Sequence, residues 1–319
     1  MLALALVLDA LIGEPRALWQ RVPHPVVLMG RLIDMLDEGL NRGRARRLKG
    51  AFALVVLIAV VGALSLFLSV SLFHGVLEVA LAAVLLAHRS LIEHVRAVAG
   101  GLRRSLDDGR AAVAHIVGRD VRAMDREAVV RASVESAAEN FSDAVVAPAF
   151  WFAVAGLPGI AVYKAINTAD SMIGHRTPRH EAFGWASARV DDLVNWIPAR
   201  LSGLAIAAVG GGRRAVEVML TDAPLHRSPN AGWPEAAMAA SLGIRLSGPR
   251  SYDGRPTEEP WINGGATRPP TVDDIDRALV LAWRAWALLL GAALLLWLAG
   301  VALYGLPFAG TPDADAPGG

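Results

Sequence analysis

The chain has 319 residues, 54% of them hydrophobic and only 19% charged, with a mean hydropathy of +0.41. Soluble globular chains carry about a quarter charged residues, so the composition directs this one to a bilayer. Its 31 basic and 30 acidic residues give no strong basic field to draw nucleic acid. The absence of cysteine excludes disulfides, iron–sulfur clusters, thiolate zinc sites and a cysteine nucleophile.

In chain order, Met1 to Ile12 is apolar apart from Asp9 and lacks a basic n-region and a small-x-small cleavage site. It reads as a short retained helix and not as a signal peptide. Residues 51–73 hold no charge and no proline, enough for the roughly 20 helical residues a bilayer core needs. Arg42, Arg44, Arg46, Arg47 and Lys49 precede them, and the positive-inside rule puts that flank in the cytoplasm. Residues 76–92, interrupted by Glu78, are a second, weaker span, and 285–304 a third. The polar region 88–143 holds nine arginines and nine acids and reads as two or three amphipathic helices with a turn near Asp107-Asp108-Gly109. Residues 213–284, with the same count of each, are rich in Pro, Gly and Ser and read as loop-dominated. The tail Asp313 to Gly319 reads as frayed.

Three apolar segments are short or interrupted: 1–13, 144–163 and 201–212. Polar clusters flank the middle one on both sides, Glu139 and Asp143 before it and Lys164, Asn167 and Asp170 after it. If both serve one site, the chain must dip in and return. Gly156-Leu157-Pro158-Gly159 offers the break, and each arm is then too short to span. A single tilted span of twenty uncharged residues is the plain alternative. The expected architecture is therefore an all-α, multi-pass membrane bundle with short re-entrant helices and cytoplasmic-side polar loops, forming one domain over 1–319.

The central third carries the polar clusters, and polar groups beside lipid are candidates for function. Glu135, Glu139 and Asp143 recur every four residues and share one helical face. Their mutual repulsion calls for a cation, for which Mg²⁺ with its preference for hard oxygen ligands is suited; a solvated face with Arg131 pairing Glu135 is the bland reading. Asn167, Asp170, Ser171 and Gly174 fall on another face, which could equally pack two membrane helices by hydrogen bonds. Asp191-Asp192-x-x-Asn195 has the general design of a Mg²⁺–diphosphate motif, against an N-terminal helix cap. Ser228-Pro229-Asn230-Ala231-Gly232 precedes a helix expected to open near Pro234 and stop at Gly243. Its backbone N–H groups could meet an anion; an ordinary capped helix is the alternative. There is no Walker A, Gly-x-Gly-x-x-Gly, His-x-x-x-His or Gly-x-Ser-x-Gly motif.

Taken together and in order, these residues resemble the CobD/CbiB family of cobalamin biosynthesis, the adenosylcobinamide-phosphate synthases. The resemblance runs from Leu8-Asp9, Gly13-Glu14-Pro15 and His24-Pro25-Val26 with Met29-Gly30, through Val134-Glu135-Ser136 with Glu139-Asn140 and Asp143, to Pro148-Ala149-Phe150. It continues with Tyr163-Lys164, Asn167-Thr168, Asp170-Ser171-Met172, Gly174, Phe183-Gly184, Asp191-Asp192, Asn195 and Pro198-Ala199-Arg200-Leu201. Ser228, Asn230-Ala231-Gly232, Gly243 and Tyr252-Asp253-Gly254 close it, with a departure at Trp261-Ile262-Asn263-Gly264-Gly265. The resemblance implies a multi-pass inner-membrane ligase facing the cytoplasm. It would use ATP and Mg²⁺ to join aminopropanol phosphate, or aminopropanol, to the carboxylate of adenosylcobyric acid, a corrinoid. Other membrane proteins of the cobalamin pathway are further candidate partners.

On that reading Glu139, Asp143, Asp170, Asp191 and Asp192 are the candidate metal ligands, and Glu139, Asp170, Asp191 and Lys164 the candidate catalytic groups. Asn140, Asn167, Arg176, Asn195, Arg200, Ser228, Asn230 and Gly232 are the candidate contacts to nucleotide or metal. Two rival readings stay open: a membrane sensor or regulatory protein of a related family, and an intramembrane Mg²⁺-diphosphate prenyltransferase. The latter lacks an acid where Gly174 stands.

Overall fold

A computed structural model describes residues 1–13, 16–70, 74–118, 120–252 and 255–304. Parts of the motifs Gly13-Glu14-Pro15 and Tyr252-Asp253-Gly254, the end of the 51–73 span and the C-terminal tail lie outside the described residues. The chain is helical almost throughout: α1 (Leu2–Ile12), α2 (Arg16–Trp19), α3 (Pro25–Leu40), α4 (Arg46–Ser69), α5 (His74–Leu85), α6 (His88–Arg104) and α7 (Leu106–Val113) precede the central region. There α8 (Arg126–Phe141) runs through a π-helical turn, Ser142–Val146, into α9 (Ala147–Ile173). After it come α10 (Trp185–Val194), α11 (Trp196–Val209), α12 (Gly212–Asp222), a 3₁₀ turn at Ala223–Leu225, α13 (Gly232–Leu242) and α14 (Val272–Tyr304). Two small antiparallel ladders, β1 (Leu246–Ser247) with β4 (Trp261–Ile262) and β2 (Arg250–Tyr252) with β3 (Arg255–Thr257), fill the segment before α14.

Four stretches are long and apolar enough to cross a membrane: Arg46–Ser69, Gly75–Arg104, Arg126–Ile173 and Val272–Leu303. Two of them are not straight. The second breaks at Leu86-Ala87, where the His88 N–H donates to Asp9 Oδ2 at 2.9 Å and the Ala87 N–H to the Ala144 carbonyl at 3.0 Å. Such breaks are acceptable at membrane depth only when protein satisfies the freed backbone groups. The third reverses. Ala155 (φ −140°, ψ 22°) and Gly156 (φ 59°, ψ −149°) leave the helical region inside α9, and only glycine adopts the second conformation readily. A Cβ on Gly159 would meet the Trp151 carbonyl oxygen at 2.2 Å, so the two arms touch. A straight helix would separate residues 143 and 163 by about 30 Å, yet the Tyr163 hydroxyl lies 2.9 Å from the Asp143 carbonyl oxygen. This geometry rules out the single straight span and makes 144–163 a helical hairpin.

Two apolar cores share α14. One gathers Val95, Leu102, Val129, Phe141, Ile206 and Met238 from α6, α8, α11 and α13. The other gathers Leu6, Ile33, Leu57, Leu86, Ile160 and Phe183 from α1, α3, α4, the break before α6, α9 and the segment before α10. Trp286 and Leu289 pack against both. Beyond them α14 projects with Leu295, Leu296 and Leu303 at least 66% exposed, a surface suited to lipid.

Several sequence expectations need correction. The 285–304 span lies within a longer helix that starts at Val272, whose first turns are amphipathic and lie against α6 and α8. Residues 213–284 are not loop-dominated: α12 and α13 form under a Pro- and Gly-rich composition that serves the turns between them. The turn expected near Asp107-Asp108-Gly109 falls just before them, at Ser105, whose hydroxyl caps α7 by accepting from the Asp108 N–H. Pro234 and Gly243 do fall in the first turn and at the left-handed stop (φ 69°) of α13.

Candidate active site

The hairpin brings its two polar flanks together. Asp143, on the π-helical turn, lies within electrostatic range of Asp191, Glu139, Lys164 and Asp170. The π turn shifts the register of α8, so the Glu135–Glu139–Asp143 stripe is not continued as a regular helix would continue it. Glu135 leaves the group: it is buried, and its Oε1 accepts from the Ser247 N–H at 2.7 Å, fixing β1. Arg131 pairs with Glu127 at 3.7 Å and not with Glu135. Glu139 stands exposed at the rim.

The far side of the site is α10. Asp191 and Asp192 occupy its second half, so they are not an N-terminal cap. The carboxylates instead sit near the negative end of the helix dipole, an unfavourable place without a cation. Asp191 is buried, and its Oδ1 accepts from Asn167 Nδ2 at 3.3 Å. Burial, then the neighbouring Asp170 charge, push its carboxyl up to about 7. Burial also raises the carboxyl of Asp192, against the pull of Arg189 at 3.5 Å. Asn195 Oδ1 lies 2.9 Å from the Tyr163 hydroxyl, so one phenol bridges α9, the π turn and α10. Trp151 Nε1 donates to the Val194 carbonyl at 3.1 Å and holds the hairpin to the same helix end. A Cβ on Gly174 would meet Asp170 Oδ1 at 1.9 Å, so the glycine gives the Asp170 carboxylate room at the end of α9.

The loop after α9 is anchored from the other core. Asp37 on α3, itself buried, accepts from Arg179 Nε at 3.0 Å and Nη2 at 2.5 Å and from Asn41 Nδ2 at 2.6 Å, with His180 Nε2 at 3.3 Å. Burial raises its carboxyl, but the hydrogen bonds from Arg179, Asn41 and His180 outweigh burial and hold it below the usual carboxylate value. Arg176, on this loop, borders a cleft with Gly174 and Asp192.

The structure separates other candidates from the acids. Asn140 turns its amide to the Ser136 carbonyl (2.9 Å) and hydroxyl (3.1 Å). Arg200 lies between Trp196 and Trp233, 4.1 and 4.4 Å from the ring centroids, and Nη1 donates to the Trp196 carbonyl and to Asn230 Oδ1. Asn230 Nδ2 in turn donates to the Asp192 carbonyl at 2.8 Å. These two residues support α10 from behind. The anion cradle expected at the Ser228 turn is closed: Ser228 Oγ accepts from the N–H groups of both Asn230 and Ala231 at 3.2 Å. Gly232 is not open to a ligand either, since a Cβ there would meet the Ala223 carbonyl oxygen at 2.5 Å. The small residue serves packing.

Among the described residues no three His, Asp or Glu side chains converge closely enough to enclose a metal ion by themselves. The donor set is instead one or two carboxylates at a time with a neighbouring amide. This suits Mg²⁺, which keeps several waters and completes its shell with substrate phosphates. Spacing alone could not have found Tyr163 as the bridging group or Asp37 as the loop anchor, because Tyr163 reaches 20 and 32 residues along the sequence and Asp37 reaches 142.

Comparison with known proteins gives the chain's relatives. The family described as CobD/Cbib protein matches residues 2–282. A protein from Sinorhizobium sp, named cobalamin biosynthesis protein CobD, is 50% identical over 311 residues, covering 92% of this chain and 96% of its own length. Proteins of the same name from Rhizobium meliloti (strain 1021), 49% identical over 302 residues (89% of this chain, 92% of theirs), and Rhodobacter capsulatus, 50% over 307 (93% and 98%), are similar. No solved structure matches the chain.

Proposed function

The chain belongs to the CobD/CbiB family, and from that premise we propose that it acts in cobalamin biosynthesis as an inner-membrane acid–amine ligase with its site facing the cytoplasm. The reaction is ATP-dependent amide formation between aminopropanol phosphate, or aminopropanol, and the carboxylate of adenosylcobyric acid, giving adenosylcobinamide phosphate or adenosylcobinamide. The observation that carries this reading is the convergence of Asp143, Lys164, Asn167, Asp170, Asp191 and Asp192 from both arms of the hairpin and α10.

A carboxylate is a poor acyl donor, and MgATP when bound supplies the phosphoryl group that turns its oxygen into a leaving group. The residues then have separable tasks. Asp170, Asp191 and Asp192 would supply oxygen ligands to the cation, one or two at a time with waters and substrate phosphates, and Glu139 and Asp143 would add negative charge nearby. Asn167 orients Asp191 through its amide. Lys164 offsets the negative charge gathered around Asp143, the kind of fixed charge that stabilises a phosphoryl transition state. Tyr163 and Asn195 position α10 against the hairpin. Incubation of purified protein with adenosylcobyric acid, aminopropanol phosphate and MgATP tests the reading. Amide product formed together with ADP supports it; ATP-independent product, or none from folded protein with all three substrates present, rejects it.

A further inference from the structure

A second polar feature lies beside the acids. The loop after α9, the first turn of α4 and the outer face of α10 enclose a cleft lined by Arg47, Arg176, Glu181, Trp185, Arg189 and Asp192. Its walls are fixed by close backbone contacts. A Cβ on Gly50 would meet the Phe183 carbonyl oxygen at 1.8 Å, and one on Gly184 would meet the Ile173 carbonyl oxygen at 1.6 Å, so α4, the loop and α9 are pressed together there. Asp37 pins the outer loop through Arg179.

The charges in the cleft are unevenly used. Arg189 pairs with Asp192 at 3.5 Å. The Arg47 guanidinium lies 5.5 Å from the centroid of the half-exposed Trp185 ring. Neither Arg47 nor Arg176 has a carboxylate within ion-pair distance among the described residues. Independently, the N-terminus of α4 carries cations where a helix favours anions. Arg46, Arg47 and Lys49 occupy its first turn with no acid among them, and its N-cap Ala45, at φ 60°, supplies no capping side chain. Arg46 and Lys49 spend their donors on Asn41 Oδ1 and the Arg42 carbonyl, which leaves Arg47 as the cation of that turn that faces the cleft. Positive helix end and unneutralised guanidiniums together ask for an anion with several acceptor oxygens.

We infer that this cleft binds the phosphate group of a substrate, held by Arg47 and Arg176 against the start of α4, next to the carboxylates of Asp170 and Asp192. The inference rests on the ligase reading for the identity of its substrates. Glu181 and Asp192 in the same cleft favour a phosphate that travels with a positive charge, and both phosphate-bearing substrates of that reaction qualify: MgATP through its cation and aminopropanol phosphate through its ammonium. The shared chemistry is the phosphate, and the experiment separates the two sources.

The full chain, purified in detergent, is titrated separately with MgATP and with aminopropanol phosphate, as wild type and as the Arg47→Gln/Arg176→Gln double variant. Loss of two charge-assisted contacts is expected to weaken binding on the order of 30-fold or more. Weakening for MgATP alone assigns the cleft to the nucleotide, weakening for aminopropanol phosphate alone assigns it to the amine, and either supports the inference. Unchanged affinity for both, or no binding of either probe by wild type, overturns it. Should the double variant not purify as folded protein, phenylglyoxal modification of wild type replaces it. Either probe is expected to protect Arg47 and Arg176 in peptide maps, and equal modification with and without both probes overturns the inference. The amide assay reads the other question separately: a cleft that binds phosphate in a protein that makes no amide removes the ligase reading only, whereas amide formation with unchanged affinities in the double variant removes the cleft only.

Discussion

Asp191 and Asp274 are both almost fully withdrawn from solvent, at 8% and 1% exposure, and their surroundings are opposite. Asp274, at the start of α14, accepts from Arg268 Nη1 and Nη2 at 2.8 and 2.7 Å, from Arg277 Nη1 at 2.8 Å, and from the N–H and hydroxyl of Thr271 at 2.8 and 3.1 Å. Asp37 follows the same plan with Arg179, His180 and Asn41. Asp191 meets neutral amides and faces other acids. A buried carboxylate ringed by arginine is a structural clamp whose charge is already answered. One ringed by carboxylates keeps an unanswered charge, which a stable fold tolerates where a cation or substrate supplies the answer.

The largest expected effect separates these two kinds of acid. Asp191→Asn or Asp170→Asn is expected to lower turnover by about 100-fold or more while yield stays near wild type and the thermal midpoint does not fall. Asp274→Asn should do the reverse: loss of the shared acceptor is expected to cost about 2 kcal/mol of stability, read as a lowered thermal midpoint, with turnover per folded molecule retained. A wild-type rate from Asp191→Asn across a Mg²⁺ titration would erase the distinction.

Gly232→Val sharpens it from the side of the discarded anion cradle. A side chain driven into the Ala223 backbone should lower stability by about 1–3 kcal/mol and change the apparent affinities for all substrates equally. A selective loss for one phosphate-bearing substrate would restore the cradle.

The pH response is smaller and carries a sign. Asp191 has a folded-state value near 7, above the 3.8 of an ordinary carboxyl, so the folded protein holds a proton that the unfolded chain has released between those values. Metal-free protein should therefore lose stability as pH rises from about 4 to 7. Asp191→Asn should flatten that slope, and Mg²⁺ should reduce it by favouring the ionised form. Thermal unfolding against pH, with and without Mg²⁺, reads all three; an identical slope in wild type and variant would show that Asp191 is not the group that titrates.

How much of this was legible in the sequence follows from the range of each interaction. The spans, the stop of α13 at Gly243 and the reversal near Gly156 are local events written in apolar runs, glycine and proline. The acids on each flank of the hairpin were readable because each cluster is local, and the reversal then forces them together. What spacing could not supply is long-range and polar. Glu135 shares the helical period of Glu139 but is taken by Ser247, 112 residues away. Ser228 looked like the lip of an anion site but consumes its own turn's N–H groups. Arg47 meets Trp185 where Gly50 lets α4 touch the loop and Gly184 lets the loop touch the end of α9.

The central claim is that the hairpin folds its two flanks into one site on one side of the membrane. The chain has no cysteine, so single cysteines can be placed at the exposed positions Glu139 and Ser171 and probed with a membrane-impermeant thiol reagent in intact cells and in inverted vesicles. The account predicts that both react in inverted vesicles and neither in intact cells; labelling of the two positions from opposite sides would contradict it.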